Sequence, residues 1–215
     1  LNRYDKRSNT ITRFFKNPTR PESSLAGNVF NLSSRTIIQD RRGYLWFGTQ
    51  SGLSRYNPET DHFYNFQHDP VNPHSLSDND IFGLFEDSEG VIWIATKNRG
   101  VNSFDPGTAR FTRFTHDPND SDSLPDNAIQ SIVQDRDGHL WFATREVGLI
   151  RRDRDSGRFS HLRHDPDDSN SLPQMSIWDL VLLKSGEIAL ISDSSAVGLV
   201  LFNPGTGKHR QYRKK

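Results

Sequence analysis

The chain has 215 residues, with 27 Lys and Arg against 27 Asp and Glu and no cysteine. Balanced charge without a basic block disfavours nucleic acid and anionic membrane surfaces as partners, and the lack of thiols excludes disulfide staples and thiolate metal sites. No apolar run approaches the ~18 residues of a membrane span, so no membrane contact is expected from this stretch itself. The opening Leu1, without a charged-then-apolar leader, reads as an internal piece of a longer protein.

In chain order, Leu1-Asn2-Arg3-Tyr4 matches the later Leu53-Ser54-Arg55-Tyr56, and Ile11-Thr12-Arg13-Phe14 matches the strand that ends at Phe66. Residues 1–15 therefore read as the last two strands of a unit. The complete unit follows at 29–66, 80–115, 128–163 and 176–213. Its refrain is Asp40-Arg41-Arg42-Gly43-Tyr44-Leu45-Trp46-Phe47-Gly48-Thr49, then Asp87 to Thr96, then Asp135 to Thr144, each followed by a Gly-Leu or Gly-Val step. A worn fourth copy runs Leu183 to Ser192, with Ala189 where the others have Trp. Trp46, Trp93, Trp141 and Ala189 stand 47, 48 and 48 positions apart.

Within one period four short apolar runs can be placed, bounded by Gly, Asp and Pro: 128–134, 139–144, 148–152 and 158–164 in the third copy. No stretch shows helical apolar spacing over three turns. The prediction is all-β: four-stranded antiparallel meanders of period about 48, leaning on one another as β-propeller blades. About four and a half blades of a larger propeller are expected, as a single partial array over 1–215. Four extra positions lie between Leu25 and Trp46, compared with the spacings Leu76 to Trp93, Leu124 to Trp141 and Leu172 to Ala189, and predict a bulge or longer loop there. The fourth blade, having lost its Trp and its turn Asp, is expected to be the least regular. An open sector would expose strand edges and an apolar face, which predicts pairing with the remainder of its own propeller or self-association as a dimer.

The stretch from Asp40 to Pro58, with the linkers His68-Asp69-Pro70 to Asn79, His116-Asp117-Pro118 to Asn127 and His164-Asp165-Pro166 to Pro173, resembles the two-component regulator propeller family. The resemblance implies a periplasmic sensor region, typically of seven-bladed propellers, ahead of a membrane span and a cytoplasmic histidine kinase or GGDEF-type diguanylate cyclase. It also implies an unidentified small-molecule ligand, with oligosaccharides among the classes that relatives sense, and no cofactor.

Strand alternation places the turns between the second and third strands on the same rim as the long blade-to-blade linkers. Those loops carry polar residues that change from blade to blade on a constant frame, where binding is usually found. Lys97, Asn98, Arg99, Arg145, Glu146, Asn79, Asn127 and Trp178 are the candidate ligand-binding residues. Trp46, Trp93 and Trp141 occupy one fixed strand position among apolar neighbours and are predicted to form the blade-to-blade core. Trp178 is expected either to face the central channel or, preferably, to fill the space left by Ala189. His68, His116 and His164 recur once per blade and are predicted to fix the linkers rather than hold a metal. Asp117 to Ser123 is rich in oxygen ligands but lacks the Gly and Glu of a calcium loop. No nucleophile elbow, zinc-binding helix or phosphate loop is present, so no catalytic residue is predicted. A propeller lyase or glycoside hydrolase, or a plain interaction scaffold, are the alternatives to a sensor.

Overall fold

The computed structural model describes residues 1–30, 35–168, 171–173, 176–192 and 198–212. The chain starts with a hairpin, β1 (Asn2–Asp5) and β2 (Thr10–Arg13), and a single 3-10 turn at Pro21–Ser23. Four meanders follow. Blade one is β3 (Ile37–Gln39), β4 (Leu45–Thr49), β5 (Gly52–Asn57) and β6 (His62–Phe66); blade two is β7 (Ile81–Glu86), β8 (Ile92–Thr96), β9 (Val101–Asp105) and β10 (Arg110–Phe114). Blade three is β11 (Ile129–Gln134), β12 (Leu140–Thr144), β13 (Leu149–Arg152) and β14 (Phe159–Leu162); blade four is β15 (Asp179–Leu182), β16 (Ile188–Ile191), β17 (Leu199–Phe202) and β18 (His209–Tyr212). Each sheet pairs only consecutive strands, all antiparallel, and among the described residues no ladder joins one sheet to the next. The arrangement is a propeller sector.

The extra positions ahead of Trp46 fall around residues 31–34, which lie outside the described residues. One-residue register slips occur elsewhere, at Phe82 in β7 and Gln130 in β11, where one strand carries an extra residue against its partner. The first strands of neighbouring blades lie side by side around the axis: the Leu84 amide donates to the Arg35 carbonyl at 2.8 Å, and the Ser131 hydroxyl to Asp179 at 2.6 Å.

Between neighbouring blades lies a repeated side-chain stack. Each second-strand Trp points at the next blade. Trp46 lies against Phe66 of its own fourth strand, rings 6.1 Å apart and nearly parallel, and meets Phe104 of blade two edge-on at 5.3 Å. Trp93 repeats this with Phe114 at 5.5 Å and Phe142 at 6.1 Å, and Trp141 meets Phe202 at 5.1 Å. The three rings are 0, 4 and 2% exposed. Burying so large a side chain contributes a few kcal/mol. Each inter-blade core is sealed on the rim side by one linker leucine, Leu76, Leu124 or Leu172.

A buried indole must place its N–H, and the turn before it supplies the acceptor. Trp46, Trp93 and Trp141 donate to Asp40, Asp87 and Asp135 at 2.8, 2.7 and 2.7 Å. The second oxygen of each carboxylate accepts two backbone amides of its own turn, as Asp87 does from Glu89 and Val91 at 2.9 and 3.0 Å. On this rim the blades are also laced together: Arg41 donates to Glu86 at 2.8 Å and to the Ser88 carbonyl at 3.1 Å, and Arg136 reaches the Lys184 carbonyl of blade four.

Candidate functional site

On the opposite rim, the linkers are tied into rigid knots. In the first, the His68 imidazole Nδ1 donates to the Leu76 carbonyl at 2.7 Å, the His68 amide donates to Asn79 at 2.7 Å, and the Asp69 amide donates to the Ser75 hydroxyl at 2.8 Å. The second knot repeats each bond, with His116 to Leu124 at 2.9 Å, its amide to Asn127 at 2.8 Å and Asp117 to Ser123 at 2.9 Å. His164 and Leu172 make the same 2.7 Å bond in the third. A carbonyl only accepts, so each of these rings carries its proton on Nδ1 and leaves Nε2 as a free acceptor when neutral. The His residues hold the linkers, and the carboxylates of the Asp117–Ser123 loop cap their own turns: Asp117 accepts from Asn119 and Asp120 from Asp122, both at 2.9 Å.

The turn between β8 and β9 is wedged between two of these knots. The Lys97 amide donates to the Asp80 carbonyl at 3.0 Å on one side, and the Gly100 amide to the Asn127 carbonyl at 2.9 Å on the other. Gly100, at φ +73°, lets the chain reverse where a side chain would run into the Phe114 carbonyl. The backbone of this turn is thus fixed while the side chains of Asn98 and Arg99 are exposed and have no partner among the described residues.

Together these parts enclose an open polar cleft of about 580 Å3. Its walls are His68, Ser77 and Asp78 from the first linker and Thr115, His116 and Asn127 from the second, with Asn98 and Arg99 from the turn and Arg113 behind. Arg113 pins the first knot through Nε and Nη2, donating to the carbonyls of Ser75, Asn72 and Leu76 at 2.9, 2.9 and 3.0 Å. Arg99, the Asn98 amide and the NH2 end of Asn127 are donors without a partner among the described residues, and Asp78 and the two imidazole Nε2 atoms are acceptors. No nucleophile paired with a base faces the cleft, and among the described residues no cluster of His, Asp or Glu could hold a metal.

The candidate residues do not form one site. Asn98, Arg99 and Asn127 line the cleft, whereas Asn79, whose side-chain oxygen accepts from the His68 amide, is not in its wall, and Lys97 pairs with Asp80 at 3.5 Å. Arg145 and Trp178 meet each other one blade further on, the guanidinium 4.2 Å from the ring centre, and Glu146 is exposed beside them. Trp178 does not fill the space left by Ala189: its ring is 37% exposed on the rim, because its backbone is held at the start of β15 by a 2.7 Å bond to the Ile191 carbonyl. It stands where Phe82 and Gln130 produce register slips in blades two and three. Sequence reasoning passed over Ser77, Asp78, Arg113 and Thr115. The blade-to-blade change at the Arg113 position, where the others have Asn65, His161 and Gln211, was the available signal.

The model of the family described as two component regulator propeller matches residues 28–51, 75–98 and 123–146, windows that run from a linker through the Trp strand to the rim turn. Histidine kinase P4 of Formosa agariphila is 34% identical over 73 residues, which is 33% of this chain and 5% of that protein. The extracellular domain assigned to a hybrid two component system of B. thetaiotaomicron superposes with a TM-score of 0.72 at 24% identity, covering 86% of this chain and 25% of that one. Virginiamycin B lyase of Staphylococcus aureus superposes at 0.60 with 16% identity, covering 83% of this chain and 54% of that one. This chain thus spans a small part of the kinase and a quarter of the extracellular domain it resembles. Three windows of the chain thus match the two component regulator propeller repeat, and the fold that carries them is a β-propeller sector.

Proposed function

We propose that the chain is the ligand-sensing, extracytoplasmic propeller region of a bacterial transmembrane signalling protein, with a histidine kinase or diguanylate cyclase as its effector. The observation that carries this reading is the polar cleft between the first two linkers, where a rigid turn presents Asn98 and Arg99 unpaired beside Asp78 and Asn127. Alternating donors and acceptors on a fixed frame suit a polyhydroxylated ligand, and an oligosaccharide is the proposed class. The likeness to a histidine kinase and to extracellular domains of two component systems supports the signalling role and the periplasmic location.

A thermal-shift panel of neutral and acidic oligosaccharides tests it. A ligand at one hundred times its dissociation constant stabilises by ~2.7 kcal/mol. A bound sugar recovered intact, with the shift lost in Arg99→Ala and Asn98→Ala while their unliganded melting stays unchanged, is the expected result. A sugar bound equally well by both variants would move the site elsewhere, and one consumed on incubation would make the chain an enzyme.

A further inference from the structure

An apolar pocket of about 160 Å3 lies between the N-terminal hairpin and blade one, walled by Leu1, Arg3, Phe14, Phe47, Tyr56 and Phe63. Each wall has a counterpart in the inter-blade stacks. Phe14, whose amide donates to the Leu1 carbonyl at 2.9 Å, occupies the place of Phe66 and Phe114, the rings that lie flat on Trp46 and Trp93 at interplanar angles of 18° and 29°. Tyr56 occupies the third-strand place of Phe104 and Phe202, which meet Trp46 and Trp141 edge-on. Phe47 occupies the place of Phe142, which meets Trp93. Arg3 corresponds to Arg55 and Arg151, the residues paired across the strand from Trp46 and Trp141. The rings and the arginine that surround a refrain tryptophan are therefore assembled here around an opening.

We propose that this pocket is a docking seat for the tryptophan of one more refrain, carried by a strand pair that adds to the free edge of β1 and completes the hairpin as a four-stranded blade. Without that ring, the Arg3 guanidinium leans over Phe14 and Tyr56, 5.4 and 5.9 Å from their centres, and donates to the Tyr56 hydroxyl. The occupant is a further repeat of the same polypeptide running directly into Leu1. Leu1 stands where Leu149 stands, one residue after the glycine that closes the preceding turn, so the strand that brings the tryptophan would end beside it. A second copy of these 215 residues does not supply the ring: Trp46, Trp93 and Trp141 are each at most 4% exposed, and blade four has Ala189 in that position.

The test joins a copy of residues 128–148 directly ahead of Leu1, which puts a copied Trp141 in register with the pocket. A matched fusion carries Trp141→Ala in the copied segment only. The tryptophan fusion is expected to melt ~5 °C or more above both the parent chain and the alanine fusion, and the β1 amides are expected to gain hydrogen-exchange protection. Two fusions that melt alike, or β1 amides that exchange as fast as in the parent, would overturn the assignment. So would a parent dimer in light scattering that Tyr56→Ala abolishes, since the pocket would then belong to a second copy.

Discussion

Blades one to three and blade four carry the same turn on different chemistry. In the first three, the glycines at 43, 90 and 138 adopt φ of +86 to +88°, and Gly186 of blade four adopts +90°. The turn backbone closes identically, with Gly186 donating to the Leu183 carbonyl at 2.9 Å just as Gly90 donates to the Asp87 carbonyl at 3.0 Å. Yet Leu183 has replaced the aspartate and Ala189 the tryptophan. The turn does not need its carboxylate; the indole does. Asp and Trp form a pair six residues apart, and blade four has lost both members, which avoids leaving either a buried N–H or a buried carboxylate alone.

Trp93→Ala breaks this pairing most severely. It opens a cavity between blades two and three and strands Asp87, so a loss of ~3–5 kcal/mol is expected from the denaturation midpoint. Asp87→Leu alone leaves the ring packed but its N–H unpaired, with an expected loss of ~1–3 kcal/mol. The double variant, which copies blade four, should lose less than the sum of the two; strict additivity in that cycle would show that the pair does not act as one unit.

A subtler contrast sits in the third strand, where blades two and four place Phe104 and Phe202 against the preceding tryptophan and blade three places Arg152. Its guanidinium lies 5.3 Å from the Trp93 ring centre, with Nε buried and without a hydrogen bond, and desolvation holds its pKa below the usual arginine value. A polar atom so placed is a weak point in an apolar interface. Arg152→Phe is expected to raise stability by ~1 kcal/mol. A lower midpoint would mean that the attraction of Arg152 to Asp87, Glu89 and Asp153 outweighs its desolvation.

The strands were legible because the period is long and its punctuation constant: each Asp-x-x-Gly marks a reversal, and apolar second strands recur at one spacing. The Asp87–Trp93 bond was not legible, since residues six apart come together only once the hairpin register is known. Asn79 and Asn127 recur in the linkers on the rim and read as ligand-binding residues, and only the knots reveal that their side chains hold the His68 and His116 amides. The reading of Trp178 as filling the space left by Ala189 failed for a related reason. A large ring missing from one strand and present on the next suggested compensation, but backbone pairing at the start of β15 fixes the ring on the rim, next to Arg145.

The linker knots have a consequence for how such arrays diversify. Because each is fastened by a histidine, a leucine carbonyl and a serine, the residues inside the loop, such as 70–74 and 118–122, hang from a clasp that their own side chains do not form. The rim is in effect a series of interchangeable cassettes, and new recognition chemistry can be written into one of them while the blades beneath stay as they are.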